Sequence, residues 1–368
     1  MPEIIDHVEL LIDGKAHGNW DRYEIDSDLM IPADAWSVSL GASGGRMPVD
    51  VVEGMPVVVK IGTDTALTGY VDEISHSVSK GAQRFTMSGR DLAADLLDCS
   101  APIFATAQST LQQIVASITR EFKITKIRID ADSVFVRKKI NTQPGDTAWD
   151  MLRNVAEANG LWAWFEPDGT LVVGGPDYSS PIVATLVMRR NGNGNNVISL
   201  DRVSSRVGRY SQVTVLGQSA GNSLDQGIPD LHASWKDNGV IGHRPKIFFD
   251  AEAENGGMCS ARAHKMIDDS RLNGQTITAT VKGHRIVAPG QPFDNKLWNP
   301  GQRIHVLSEP HGIDAPYFLM ARKFIRNRMD GTITVLTLKE DGVWLAGAHP
   351  HKKHRGGKNS APLQIVTA

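Results

Sequence analysis

The first ninety residues alternate apolar and polar positions with a period of two. "HVELLIDGKAHGNWDRYEIDSDL" does so around two glycine turns, and "AWSVSLGAS" adds a further strand. Strand-like pieces follow near Val57–Ile61, Thr68–Ser77 and Gln83–Ser88. Such alternation gives each strand one face for a core and one for water, so the stretch predicts a compact antiparallel β unit. The period then changes. In "QSTLQQIVASITREF", Leu111, Ile114, Val115, Ile118 and Phe122 fall on one helical face, and Ser109 with Gln112 predicts a capping box. Further on, Thr147 and Asp150 predict a helix start, Asn159-Gly160 its end, and "EPDGT" a hairpin turn between "LWAWF" and "TLVVG".

From Ile182 the strand pattern returns. It is interrupted by the loop-like "GNGNN" and "GQSAGNSLDQGIPD", and by a helix expected to break near Gly256-Gly257. The chain therefore reads as α+β, mainly β, with two related small antiparallel β-barrel domains and an inserted α+β unit. The expected boundaries are 1–98 for the first barrel and 99–180 for the insert. The second barrel spans 181–345 with a helical insertion near 250–272, and a flexible basic tail follows at 346–368. The relatedness rests on an internal echo. "EGMPVVVKI" parallels "PGQRIHVLS", "TGYVDEISHSV" parallels "YFLMARKFIRN", and "QRFTMSGRD" parallels "GTITVLTLKED". A duplication of this kind predicts that residues 50–90 and 297–340 share one strand order.

Charge and composition remove several functions. The chain has 368 residues, and 39 basic against 41 acidic side chains leave a formal charge of −2. A chain so near neutrality has no global field to hold nucleic acid specifically or to settle on an anionic membrane. No stretch is apolar for long enough to insert in a bilayer, and the acidic N-terminus lacks the basic region of a signal peptide. The expectation is a soluble protein made in a cytoplasm. Cys99 and Cys259 are far apart and outside any ligand spacing, so both are expected to be free and buried. No metal site or cofactor is predicted. No G-x-S-x-G elbow, H-E-x-x-H helix or Walker loop is present, and "NGNGNN" lacks the helix that a phosphate cradle needs. His284, His305 and His311 have no ligand spacing. The expectation is a protein without catalysis. The tail "HPHKKHRGGK" is the basic cluster, a solvated segment or an anchor on an acidic partner.

The junction "SGRDLAADLLDCSAP" sits where the period changes. Leu92, Leu96 and Leu97 predict the buried stripe of a short helix, Asp91 and Asp95 suit its first turns, and Cys99 is expected to fill a small apolar gap. Arg90, Asp91, Asp95 and Cys99 are thus read as a structural hinge, with Arg90 clamping a neighbouring carboxylate or carbonyl.

The order of β unit, junction, "QPGDTAWDMLRNVAEANGLWAWFEPDGTLVV" insert and second β unit resembles the baseplate hub proteins of contractile, Mu-like phage tails. The N-terminal halves of VgrG proteins of type VI secretion are more distant relatives. The most specific parts are Gly89-Arg90-Asp91 with Asp98-Cys99-Ser100, and Gly145-Asp146-Thr147 with Gly160-Leu161. The resemblance implies a structural homotrimer in the virion tail baseplate, assembled in the bacterial cytoplasm. In it, two barrels per chain match a sixfold tail tube to a threefold spike. It also implies that the insert lies away from the tube, with "LWAWF" packing in a cup for the spike. The "QPGDTAWDMLRNVAEANG" run, within a piece at 140–175, is also similar to a LysM module. That makes a peptidoglycan-binding or wall-degrading tail protein the alternative, with Gly145, Asp146 and Thr147 as glycan contacts.

Overall fold

The computed structural model describes residues 7–41, 51–80, 82–102, 105–130, 137–141, 145–217, 231–250, 253 and 255–343. The basic tail expected at 346–368 lies outside them. The first β unit comprises β1 (Val8–Ile12), β2 (Lys15–His17), β3 (Arg22–Asp28), β4 (Ala35–Gly41), β5 (Pro56–Ile61), β6 (Asp64–Tyr70), β7 (Glu73–Ser79) and β8 (Ala82–Arg90). The insert follows as α1 (Ala93–Asp98), β9 (Ala105–Ser109), α2 (Leu111–Thr119), β10 (Ile127–Asp130), β11 (Arg137–Asn141), α3 (Ala148–Ala158), β12 (Trp162–Phe165) and β13 (Leu171–Gly174). The remainder holds β14 (Ile182–Met188), β15 (Ser199–Ser204), β16 (Gln212–Gly217), β17 (His232–Lys236) and β18 (Pro245–Asp250). It continues with α4 (Gly256–Leu272), β19 (Gln275–Lys282), β20 (Arg303–Ser308), β21 (Ile313–Asn327) and β22 (Gly331–Glu340).

The alternation read from the sequence is the alternation of burial. In β3 the inward residues are Tyr23 and Ile25, in β4 Trp36, Val38 and Leu40, and in β8 Phe85 and Met87. Each contributes about 1.5–3 kcal/mol when fully buried. The expectation of two barrels is corrected in one respect. The described strands show no closed barrel, and the two β units are not separate. Their strands form one sheet in the order β15-β19-β22-β21-β3-β4-β8-β7, with β20 and β14 branching from β21. One apolar cluster runs through both units. The physical reason is the 15-residue strand β21. It pairs with β22 along one side and with β3 along the other, so Phe324 lies opposite Ile25. β2, β1, β5 and β6 form a second layer over this sheet, and they share its core.

The echo has a structural counterpart. In the first unit β8 pairs with β7 and β4, and β4 with β3; in the second, β22 pairs with β21 and β19, and β19 with β15. All these pairs are antiparallel. The β5–β6 hairpin corresponds to β20 with the first half of β21. One pair departs: β1 runs antiparallel to β5, whereas β14 runs parallel to β20.

The insert packs α1, α2 and α3 on the sheet β10-β13-β12 around Leu96, Ile114, Ile118, Leu152 and Val155. Two helix starts differ from expectation. The capping box of α2 is Thr110 with Gln113, one residue later than Ser109 with Gln112, because Ser109 still belongs to strand β9. Gly256-Gly257 begins α4 rather than breaking it, since the Asn255 side chain accepts from the Met258 N–H and caps the helix there. α4 does not stand alone. It covers β17-β16-β18, with Val213, Val215, Met258 and Cys259 buried between them.

Candidate assembly surfaces

The residues expected to form a hinge lie at or beside one crossing of the chain. Gly69 on β6 and Gly89 on β8 bring two backbones together. A Cβ at Gly69 would sit 1.9 Å from the Arg90 carbonyl oxygen, and one at Gly89 1.9 Å from that of Tyr70. No larger residue fits either place, which accounts for the glycine of the Gly89-Arg90-Asp91 run. The Arg90 guanidinium then ties three segments. Its Nε donates to Asp72 at 2.6 Å, and its two terminal nitrogens donate to the Asp98 carboxylate at 3.1 and 2.6 Å. The Asp98 carboxyl is held below its ordinary range by that pairing. Asp91 is buried; its carboxylate accepts from the Ala93 N–H at 2.9 Å, and its own N–H donates to the Asp34 carbonyl. Asp95 stays exposed, and burial followed by Asp72 and Asp98 raises its carboxyl.

Cys99 corrects the sequence reading. It is exposed, whereas Cys259 is buried, and both are free. α1 ends at Asp98 and Cys99 leaves it extended, so the apolar stripe stops before the thiol. The backbone of Cys99 is used instead: its carbonyl accepts from the Ala148 N–H at 3.0 Å, and Ala101 donates to the Asp146 carbonyl at 2.9 Å. Gly145, Asp146 and Thr147 therefore lie beside the hinge, where Thr147 caps α3 by accepting from the Asp150 N–H. Burial pushes the Cys259 thiol up, away from the reactive thiolate. Native protein should label rapidly at Cys99 and only after denaturation at Cys259; two fast thiols per chain would contradict this packing.

The hairpin "LWAWF" packs in part within the chain. Trp162 packs with Leu272, Phe318, Met320 and Val343, its Nε1 donates to Asp269 at 3.2 Å, and Lys265 lies 4.8 Å from its ring centre. Trp162 and Phe165 are buried, whereas Trp164 is half-buried. Arg262 of α4 pairs with Glu157 of α3, which locks the insert onto the α4 unit.

Beside Asp91 and Asp34 lies a buried joint that the sequence pattern did not reveal. Arg322 on β21 is 1% exposed and donates to the carbonyls of Ile25 (3.0 Å) and Ala66 (2.8 Å), thereby bridging the two β units. Its guanidinium stacks 4.1 Å from the Phe324 ring. Asp34, next to it, is pushed up to about 7 by burial. Nearby, the Tyr23 hydroxyl meets His284 Nε2 at 2.8 Å, and His284 Nδ1 meets Thr334 at 3.0 Å. Burial, reinforced by Arg322, drives His284 down to about 3. The available signal was the inward alternation Met320, Arg322, Phe324, in which a charge occupies a core position. Among the described residues, no group of three His, Cys, Asp or Glu side chains is placed to hold a metal, and no helix is long and apolar enough to cross a membrane.

Among the described residues, the eight-strand path of the sheet ends in two edges, β15 and β7, and its branch ends in β14. β15 and β7 each carry an exposed valine, Val203 at 59% and Val78 at 64%. A long, partly apolar strand edge is a template for further pairing.

Known proteins share this architecture. Residues 7–91 match the family described as "Mu phage baseplate assembly protein GpP-like, N-terminal", and residues 93–175 match "Baseplate hub protein gp44-like, second domain". Residues 209–267 match "Tail protein NMB1110-like, third domain", and 269–343 match "Tail protein, C-terminal domain". The crystal structure of a tail protein from Neisseria meningitidis is 39% identical, with a TM-score of 0.81 over 94% of this chain and 99% of that one. A prophage MuSo2 tail protein from Shewanella oneidensis is 23% identical, with a TM-score of 0.78 over 92% and 100%. The baseplate hub protein gp44 of Escherichia phage Mu is 22% identical over 96% of this chain and 93% of its own. A type VI secretion component of Escherichia coli shares the fold at 13% identity, with a TM-score of 0.58 over 97% and 80%. The fold and its domain order are those of phage tail proteins. The chain belongs to the Mu-like baseplate hub family, as a structural component of the phage tail.

Proposed function

We propose that the chain closes head to tail into a homotrimer that joins a sixfold tail tube to a threefold spike. The carrying observation is the strand order. β15-β19-β22-β21 and β3-β4-β8-β7 are the same four-strand unit used twice, and inside the chain the last strand of one pairs with the first strand of the other. What remains is a free first strand, β15, and a free last strand, β7. Directions alternate across all eight strands, so β7 laid against β15 of the next copy continues the antiparallel pattern. A heterologous contact of this kind either closes into a ring or runs on as a filament. Three chains give six units, which leaves neither β15 nor β7 unpaired and offers six similar contacts to a tube.

In this reading Arg90, Asp91, Asp95 and Cys99 form the structural hinge between β unit and insert. The protein has no catalytic role, and it assembles in the bacterial cytoplasm before joining the tail. Light scattering on the purified chain should give three times the 40.0 kDa chain mass. The same protein should be captured by its tail's tube and spike proteins and not by sedimenting peptidoglycan. A strict monomer at every concentration and salt would refute the ring. Peptidoglycan binding abolished by Asp146→Ala would favour the LysM-like alternative.

A further inference from the structure

The branch edge, β14, is covered by side chains instead of a strand. In a β-strand the N–H and C=O of one residue point to the same side, and residues two apart face the same edge. The Met188 carbonyl accepts from the Glu309 N–H, just past β20, at 3.0 Å, so Met188 faces β20. Thr185, Val187 and, just past the strand, Arg189 face away from it. The "GNGNN" loop returns along this outer row and meets all three. The Asn196 carboxamide accepts from the Val187 N–H at 2.7 Å and donates to the Thr185 carbonyl at 2.8 Å. Its backbone N–H donates to the Val187 carbonyl at 3.3 Å. The Asn195 carboxamide accepts from the Arg189 N–H at 2.7 Å and donates to the Arg189 carbonyl at 3.3 Å. A carboxamide carries the same acceptor and donor types as a peptide group. Two asparagines thus stand where the backbone of a further strand would stand.

The loop is shaped for that return. Gly192 and Gly194 take left-handed φ values of 77° and 71°, which glycine adopts without strain. A Cβ at Gly194 would stand 2.9 Å from the Arg189 guanidinium, which donates to the Asn193 carbonyl at 3.0 Å. The Glu309 carboxylate accepts from the Arg190 N–H at 3.1 Å at the start of the loop, and Val197 anchors its end in the common core. The first β unit meets the same need differently. There β1 lies beside β5 as β14 lies beside β20, and the outer side of β1 is taken by β2. The asparagine pair does for β14 what β2 does for β1.

We infer that Asn195 and Asn196 are specificity-determining residues of assembly: they occupy the β14 edge, so that β7 and β15 are the edges left to pair between copies. The inference rests on the edge-paired trimer above. An uncovered β14, which already carries Ile182 at 43% exposure, would be a third template for strand addition, and pairing through it would add copies outside the ring.

The test compares the wild-type chain, Asn195→Ala/Asn196→Ala, and the same double variant with Thr185→Pro added. Proline at 185 removes an outward N–H to which neither carboxamide bonds, and so blocks the edge by another route. Light scattering over a concentration series reads mass, hydrogen exchange reads the Val187 and Arg189 amides, and circular dichroism reads folding. In the double variant both amides should exchange at least about tenfold faster. Its mass should climb above that of the wild type as concentration rises, with circular dichroism unchanged, and Thr185→Pro should bring it back. Amides that stay protected, or that open while the mass stays at the wild-type value, overturn the inference. So do heavier species that Thr185→Pro fails to disperse, which would come from misfolding. A monomeric wild type refutes the trimeric reading alone, because the variant's gain in mass is still read against it.

Discussion

His76→Pro on β7 and Arg202→Pro on β15 should each yield a folded monomer that no longer forms a ring. Ser79 pairs with Ala82 with two residues between them, so that pair exchanges both of its hydrogen bonds, and every second pair along the hairpin does likewise. The N–H groups of Ile74, His76 and Val78 consequently point away from β8. On β15 the Ser205 N–H donates to the Gly274 carbonyl, which sets the same alternation and turns the Arg202 N–H outward. Proline at either position deletes one outward donor and places its ring on the edge, while the inward ladder keeps its bonds. The unfolding midpoint of the monomer should move little, whereas the trimer should vanish from light scattering and tube capture with it. A trimer that survives both substitutions would show that the ring closes through other surfaces.

The second large effect is expected at the joint. Arg322→Ala removes two hydrogen bonds to buried carbonyls, and with them the cation whose charge favours an ionised Asp34. Leaving buried acceptors unpaired costs about 1–3 kcal/mol each, read as a shift of the denaturant midpoint. A loss under about 1 kcal/mol would mean that the guanidinium is not buried as described. The joint also gives stability a pH slope. Asp34 titrates near 7 in the folded chain against an ordinary 3.8, so its contribution is complete below 3.8 and fades as pH rises through 7. Asp91, raised by burial and then by Asp34, acts in the same direction. His284 acts oppositely: it is held neutral down to about 3, so it costs stability as pH falls below 6.5. Between pH 6.5 and 8 the two effects oppose, because His284 in the unfolded chain is still half protonated at pH 6.5. The wild type should lose less than about 1 kcal/mol over that span, and Asp34→Asn should shrink that loss. Asp26 and Asp28, on β3, and Lys339 are the other charges about this cluster.

Much of the fold was legible because local rules and tertiary demands agree. Tyr23, Ile25, Trp36 and Val38 alternate as strands must, and Ile114, Val115 and Ile118 fall on one helical face that is buried as expected. Arg90 was legible as a clamp for the same reason, since the Asp98 carboxylate it holds lies only eight residues on. What escaped depends on distant pairing. β21 meets β3 across some three hundred residues, and nothing in "YFLMARKFIRN" marks its second edge as bound to another unit. Arg322 was hidden by its chemistry, since a charge in an alternating strand ordinarily reads as outward-facing. Cys99 was misread because the helix ended one residue too early to bury it.

The β21–β3 pairing carries a consequence for geometry. If a ring holds six junctions between four-strand units, three of them are already built inside the chains, around Arg322 and Asp34. Each chain then arrives with its bend prefabricated, on the order of 60° per junction if six are to close the circle. The seams between chains need only copy an angle that the folded chain already displays. Ring size becomes a property of the monomer's interior rather than of its surface. A substitution that relaxed the buried joint without unfolding it would change the number of subunits before it changed their affinity.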